Sequence, residues 1–355
     1  MSEWILSPLT CGAAFVLSAV LAMLFTQLAI RGGPVDQPRE RGAHVTPTPT
    51  SGGLAVMAAA GLALALCIFQ FAPSGARSGL MLFVFAALIG FSGAIDDVFD
   101  LPAKVRLLFQ IGLCLAFASL YPVHHLSFGP GLSFDIPLPV GIAGGAAWLL
   151  LGLNAINFMD GSNGLAIGSQ ILCLLVFAGF VLVFGTQAAA APLLGGLLLV
   201  FICSAGAFSG FLPFNLPLGR TFQGDAGSLF GGALVTGGAL VLSAHDIASV
   251  WLGGFLLAPL LVDVVLTLIL RASRRQNLLR SHKDHLYQQW LIHKDPSHGR
   301  LALRVWGLCA LSSAFAIGAR FLGDALGTDL RFAALCVVFA AYSAGWIWLR
   351  GRLTK

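Results

Sequence analysis

Gly79-Leu-Met-Leu-Phe-Val-Phe-Ala-Ala-Leu-Ile-Gly-Phe-Ser-Gly-Ala-Ile95 is followed at once by Asp96-Asp97. Seventeen residues without a charge end on two adjacent carboxylates. A run of that length crosses a bilayer as a helix, since a span needs roughly 17–25 apolar residues. The same pattern recurs along the whole chain. Apolar runs lie near 5–30, 52–72, 79–95, 105–122, 138–153, 165–185, 190–211, 228–244, 249–270, 301–320 and 332–349. Of the 355 residues, 57% are hydrophobic and only 10% charged, which excludes an ordinary soluble enzyme surface. It equally excludes disorder, which needs low hydrophobicity. The reading is an all-α, polytopic integral membrane protein of about ten or eleven spans, one domain over residues 1–355.

A net charge of +5 could suggest nucleic acid, but basic residues in such a chain usually mark cytoplasmic loops, so no nucleic-acid partner is expected. Sixteen of the twenty basic residues fall on one set of loops, Arg39, Arg41, Lys104, Arg106 and Arg280 among them. The positive-inside rule puts those loops in the cytoplasm, the N-terminus outside and the C-terminus inside. Met1-Ser2-Glu3-Trp4 lacks the basic start of a cleaved signal, so the first run is expected to stay as a helix. The seven cysteines all sit in apolar runs without a CxxC pair and read as buried hydrophobes. On the outer side, residues 124–136 flank Gly129-Pro130-Gly131 with alternating stretches, the pattern of a small β-hairpin.

The polar residues gather on the inner loops. Asp96, Asp97, Asp100, Asp160 and Asp225 come from three loops and share one membrane face. A transporter would place such groups near the midplane on broken helices. Carboxylates at one face suit a site that takes a water-soluble substrate from the cytoplasm. Adjacent Asp96 and Asp97 repel each other unless a cation or proton compensates, and a hard cation such as Mg²⁺ suits oxygen ligands. Lys104 and Arg106 offer charge for phosphate, or simply pair with those carboxylates. Pro47-Thr48-Pro49-Thr50-Ser51-Gly52-Gly53 stops a helix and leaves backbone N–H groups free, either a phosphate cradle or a plain loop. Asn154 and Asn157 would share a face with Asp160 if the helix continues, and with Asn163 and two glycines they could hold a nucleotide or make a tight turn. Asp225, between glycines, is either a hard ligand or a helix cap. His282 and His285 stand at i, i+3 as if on one helical face, within a basic loop suited to anions; zinc is disfavoured for want of a third ligand. Asp263 is the one deep carboxylate, either functional or paired with another span.

Taken in order, Thr48-Pro49…Gly52-Gly53, Asp96-Asp97…Lys104…Arg106…Gln110, Asn154-x-x-Asn157-Phe-Met-Asp160-Gly, Gly224-Asp225-x-Gly-Ser and His282-x-x-His285-x-Tyr-Gln resemble the polyprenyl-phosphate N-acetylhexosamine-1-phosphate transferases. Five short motifs in register, from about residue 44 to 300, argue against chance. The resemblance implies a multi-helix fold in the bacterial inner membrane with the active site on the cytoplasmic face. It implies a UDP-N-acetylhexosamine donor such as UDP-GlcNAc, undecaprenyl phosphate as acceptor, release of UMP, and Mg²⁺, with Mn²⁺ as a substitute. Asp225 and Asp97 would hold the metal. Asp96 and Asp97 would carry the metal–phosphate or activate the acceptor. Asn154, Asn157, Asp160 and Asn163 would line the nucleotide side. His282 and His285 would meet the donor diphosphate or sugar.

The His-x-x-His-x-Tyr-Gln form is closer to enzymes that begin O-antigen or capsule repeats than to the peptidoglycan transferase with its three consecutive histidines. Two positions depart from the family pattern: Asn163 replaces a common second Asp, and Thr50-Ser51 replaces a common Arg. The acceptor phosphate is mostly a dianion at neutral pH, so one-step attack with Asp97 orienting is the favoured mechanism and an aspartyl-phosphate route the alternative. A multi-span transporter of an anionic substrate is the rival function. A CDP-alcohol phosphotransferase lacks its aspartate-rich helix-pair motif here. The oligomeric state stays open, a homodimer included.

Overall fold

The computed structural model describes residues 7–32, 35–36, 48–49, 51–71, 76–185, 194–217, 219–278 and 282–353, with backbone alone at 35–36 and 48–49. Met1-Ser2-Glu3-Trp4, Arg39, Arg41, Pro47, Thr50 and Arg280 lie outside them, so most of the Pro-Thr-Pro loop does too. Eleven helical segments among the described residues are long and apolar enough to cross a membrane. They are α1 (Pro8–Gly32), α2 (Gly52–Phe71), α3 (Ala76–Phe99), α4 (Ala103–Leu120), α5 (Leu138–Phe158), α6 (Leu165–Phe184), α7 (Gly195–Asn215), α8 (Gly224–Ala244), the pair α9 (Leu252–Leu256) and α10 (Ala258–Ser273), α12 (His298–Leu326) and α13 (Arg331–Leu353). The short α11 (Leu286–His293) precedes α12. This is a multi-pass membrane protein, and its described residues are all-α but for two small ribbons.

One ribbon, β1 (Val35–Asp36) with β2 (Thr48–Pro49), is two residues wide. The other is the expected hairpin, β3 (His125–Gly129) with β4 (Leu132–Asp135), antiparallel with a bulge between Ser127 and Gly129. Gly131 at φ +67° takes the left-handed turn that a residue without Cβ adopts freely. The hairpin is tied down at its own end of the bundle. The Trp251 indole donates to the Ser127 carbonyl at 2.7 Å, and the Ser127 hydroxyl donates to Asp329 at 2.6 Å.

The helices differ sharply in burial. α8 is enclosed almost entirely, by α3, α5, α2 and α6, whereas α13 lies at the periphery. Cys336 on α13 is accordingly exposed, which corrects the reading of all seven cysteines as buried. Small residues set the close crossings, as in membrane bundles generally. A Cβ added at Gly206 or Gly210 of α7 would stand 2.4 or 2.1 Å from the carbonyl oxygens of Phe15 and Ala19 on α1. These two glycines, one turn apart, let the two backbones touch, and Ser18 clinches the contact by donating to the Cys203 carbonyl at 2.6 Å.

Two boundaries differ from hydropathy in ways that matter for the site. The ninth span is broken at Leu257, two residues before Pro259, whose ring leaves no N–H for the preceding turn. The helical runs also extend past their apolar cores, so that Asp96 and Asp97 lie in the last turn of α3 and Asp225 in the first turn of α8.

Replacing Gly210 by Val should force α1 away from α7. Overpacking of this kind costs about 1–3 kcal/mol, read as a lowered thermal midpoint in detergent. Gly12→Ala, where an added Cβ meets nothing within 4 Å, should leave the midpoint unchanged.

Candidate active site

Gly93 decides how near α3 comes to α8. A Cβ there would lie 2.4 Å from the Asp225 carbonyl oxygen, so only glycine permits this crossing. One turn further, the Asp97 carboxylate reaches the start of α8 and accepts hydrogen bonds from the backbone N–H groups of Asp225 at 3.2 Å and Ala226 at 3.3 Å. A helix N-terminus carries unpaired donors and a positive dipole end, so an anion is favoured there.

Asp96, about 100° round the helix, faces elsewhere. It accepts from the Leu101 N–H at 2.9 Å and pairs with Arg106. The link to α4 makes that return possible. Asp100 takes a left-handed backbone at φ +48°, a conformation Asp tolerates better than most residues, and Pro102 then precedes the first turn of α4. The Arg106 guanidinium also reaches Asp225 at 3.2 Å, bridging the carboxylates of α3 and α8.

The α5 side supplies amides. Asn157 donates to Asp225 at 2.9 Å and to the Ser228 hydroxyl at 2.9 Å. Asn154 donates to the buried Gln110 of α4 at 2.9 Å and back to the Leu150 carbonyl at 2.9 Å. α5 ends at Phe158, so Asp160 does not continue its face, contrary to the shared-face expectation. It stands instead at the head of a turn and accepts from Gln223 at 2.6 Å. Burial lifts its carboxyl well above the usual range, against the Gln223 hydrogen bond, and the Asp225 and Asp97 charges add to the rise.

The turn after Asp160 is held from three sides. Gly161 N–H donates to the Tyr287 hydroxyl at 3.2 Å, which itself donates to the Phe158 carbonyl at 3.0 Å. His298 Nδ1 accepts from the Asn163 N–H at 3.2 Å and lies 3.0 Å from the Ser162 hydroxyl. Gly164 N–H donates to Asn215 at 2.7 Å. Asn163 thus enters the site through its backbone, next to Gly219.

His282 and His285 do not share a helical face, because α11 begins only at Leu286 and His285 caps it. The chain nonetheless brings the rings within 4.9 Å of each other. Burial, aided by neighbouring His285 and Arg271, lowers His282 to about 4, so its imidazole is neutral at pH 7. Lys104 sits exposed in the first turn of α4. Gly52 and Gly53 are buried, and the Gly52 N–H donates to the Phe222 carbonyl at 3.2 Å. A Cβ on Gly53 would meet the Gln223 carbonyl and the Gly227 nitrogen at 2.2 Å. The free-N–H cradle expected at these glycines is therefore corrected at Gly52: the pair packs α2 against the start of α8.

Asp96, Asp97, Asp160 and Asp225 thus meet with Arg106, Asn157 and Gln223 at one end of the bundle. Of these four carboxylates only Asp96 and Asp225 touch the guanidinium, which leaves more acidic groups than basic ones in direct contact. Among the described residues no three His, Cys, Asp or Glu side chains form a ready-made metal cage. Arg106 stands between two of the carboxylates, where charge balance calls for a cation. The all-oxygen donor set fits Mg²⁺ rather than a soft metal. Gln223, Ser228, Tyr287 and His298 were not assigned roles from sequence; Ser228 and Tyr287 stand inside the quoted motifs and Gln223 directly before one, a signal that could have found them, whereas His298 lies outside every motif.

Comparison with known proteins adds a family. Residues 79–243 match glycosyl transferase family 4. A decaprenyl-phosphate N-acetylglucosaminephosphotransferase of Mycolicibacterium smegmatis is 30% identical over 316 residues, covering 82% of this chain and 77% of the relative. A phospho-N-acetylmuramoyl-pentapeptide-transferase of Granulibacter bethesdensis is 30% identical, covering 83% and 88%. A probable undecaprenyl-phosphate N-acetylglucosaminyl 1-phosphate transferase of Bacillus subtilis is 30% identical, covering 78% and 76%.

Arg106→Gln should leave Asp96 and Asp225 facing each other without compensation. A loss of about 1–3 kcal/mol is expected, read as a lower thermal midpoint in detergent. Millimolar Mg²⁺ should restore part of it, and an equal midpoint with and without the cation would contradict the charge-excess account.

Proposed function

This chain belongs to glycosyl transferase family 4, and we propose that it transfers N-acetylhexosamine-1-phosphate from a UDP-sugar to undecaprenyl phosphate, releasing UMP. At the coarser level it is a polyprenyl-phosphate sugar-phosphate transferase, as its relatives are named. The observation that carries the reading is the gathering of carboxylates from α3, α8 and the α5–α6 turn at one end of the bundle, with Arg106 bridging Asp96 and Asp225 and Asp160 held by Gln223. Such a site is built to handle phosphate groups with a divalent cation. The positive-inside pattern supports a cytoplasmic site in a bacterial inner membrane. The His282-x-x-His285-x-Tyr-Gln stretch supports the branch that begins O-antigen or capsule repeats.

In the proposed reaction, the acceptor phosphate attacks the sugar-bearing phosphorus of the donor. One phosphoanhydride bond forms, the one to the nucleotide breaks, and UMP leaves with the electron pair. The acceptor has a second pKa of about 6 and is already a dianion, so the protein's work is alignment and charge neutralisation. Asp97, fixed by the α8 N-terminus, orients the acceptor and keeps its charge in register with Asp225. Arg106 and Lys104 take up phosphate charge. Asn154, Asn157, Asp160 and Asn163 line the nucleotide side, and neutral His282, with His285, meets the diphosphate or sugar. Asp225 and Asp97 would hold Mg²⁺, which when bound draws off phosphoryl charge. Asp96 is engaged with Leu101 and Arg106 and acts by holding that guanidinium.

A transporter reading finds no support in Asp263, the deep carboxylate it would use, because that group accepts four hydrogen bonds from the protein itself.

Purified protein given UDP-GlcNAc, undecaprenyl phosphate and Mg²⁺ should release UMP; a chelator should abolish release and Mg²⁺ or Mn²⁺ restore it. Asp225→Asn, nearly isosteric, should lose at least about 100-fold, because metal stabilisation of the transition state is worth several kcal/mol. Full activity in excess chelator would remove the metal from the account, and a fall under about tenfold would make Asp225 a helix cap.

Asp97→Asn separates the two routes. If Asp97 orients a dianion, residual activity persists and rises as pH passes about 6, and exchange of labelled UMP into the UDP-sugar requires lipid. Lipid-independent exchange by delipidated wild type would establish an aspartyl-phosphate instead.

A further inference from the structure

Asp263 is a carboxylate inside a membrane-spanning helix, 4% exposed, and the mechanism above does not use it. An ion in such a place is costly unless donors surround it. Its four donors come from three elements. Thr267 of its own helix donates at 3.1 Å, the Trp346 indole of α13 at 3.0 Å, and the backbone N–H groups of Leu286 and Tyr287 at 2.7 and 3.2 Å. The last two are the opening N–H groups of α11. The His285 Nδ1, buried and without a hydrogen bond, lies 3.8 Å from the same carboxylate.

The segment before α11 is fastened on both flanks. Asp284 pairs with Arg271 of α10, and its carbonyl accepts from Arg350 of α13. From α11 the Tyr287 hydroxyl reaches across to the Phe158 carbonyl and the Gly161 N–H, bracketing Asp160. A continuous chain of contacts thus runs from Asp263 through the first turn of α11 to the α5–α6 turn.

We propose that Asp263 is a positioning residue of the active site: by pinning the first turn of α11 it aims the His285 imidazole and, through the Tyr287 hydroxyl, sets the turn that presents Asp160. The catalytic consequence rests on the transferase reading; the positioning itself does not. The chemistry of the pin is specific to a carboxylate. Every neighbour is a donor, and an amide in place of one oxygen would turn its own N–H groups toward them.

Hydrogen exchange on the purified protein tests the relay without any substrate. Asp263→Asn should speed exchange at residues 285–289 and at 158–163 and leave α6 and α8 at wild-type rates. Tyr287→Phe, which keeps the pin and cuts the relay, should speed 158–163 alone. Trp346→Phe, which removes one donor away from α11, should change neither segment. Wild-type rates at 158–163 in both Asp263→Asn and Tyr287→Phe would overturn the proposal, as would general loosening of α10, α12 and α13 in Asp263→Asn.

Kinetics then reads the consequence. Asp263→Asn and Tyr287→Phe should raise KM for the UDP-sugar about tenfold or more, since a misplacement near 1 Å can cost up to about 100-fold, while Trp346→Phe stays within about twofold. Equal losses in all three variants would make Asp263 a packing residue. Absence of UMP release by the wild type would sink the transferase reading while the exchange result still decides the positioning.

Discussion

Negative charge packed against the N-terminus of α8 is the constraint on which the rest of this structure depends. α8 is the most enclosed of the described spans, but its first turn is partly exposed at the end of the bundle, and its opening N–H groups have no partner within the helix. Asp97 supplies acceptors to two of its N–H groups, and Gly93 makes the approach possible. The same arrangement gathers Asp96, Asp160 and Asp225 beside it. Carboxylates so placed repel one another and raise the cost of ionisation. Arg106 answers part of that cost, and its position depends in turn on the tight link from α3 to α4.

Hydropathy and charge made the gross fold legible. Each of the eleven apolar runs became a helical span, and the alternation around Gly129-Pro130-Gly131 became a hairpin. The grouping of inner-loop aspartates also carried over into space. Fine geometry was not legible, because it depends on contacts between helices distant in sequence. The i, i+3 spacing of His282 and His285 suggested a helical face, yet Asp263 and His285 begin α11 later. Asn154, Asn157 and Asp160 looked like one stripe, yet α5 ends at Phe158 and Asp160 turns to Gln223. Gly52 and Gly53 read as either a phosphate cradle or a plain loop, and sequence could not choose because glycine serves close backbone contact as readily as ligand approach. The break at Leu257 follows from Pro259, a signal that mean hydropathy averages away.

The bundle divides its work between two kinds of buried polar contact. At the hairpin end, Trp251, Ser127 and Asp329 tie irregular backbone to the helices. At the site end, backbone N–H groups are spent on carboxylates: Asp97 takes those of α8, and Asp263 those of α11. Both exploit the unpaired donors at a helix start. The first leaves its carboxylate beside Asp225 and Arg106, at the centre of the proposed chemistry. The second is fully absorbed by the fold, and its value lies in what it holds still.

The most direct test of the account is the anomalous signal of Mn²⁺ in crystals of the protein. The charge excess at the start of α8 predicts a peak within coordinating distance of the Asp225 and Asp97 carboxylates. A protein saturated with Mn²⁺ whose peak lies beside His282 and His285 instead, or which shows none at Asp225, would contradict it.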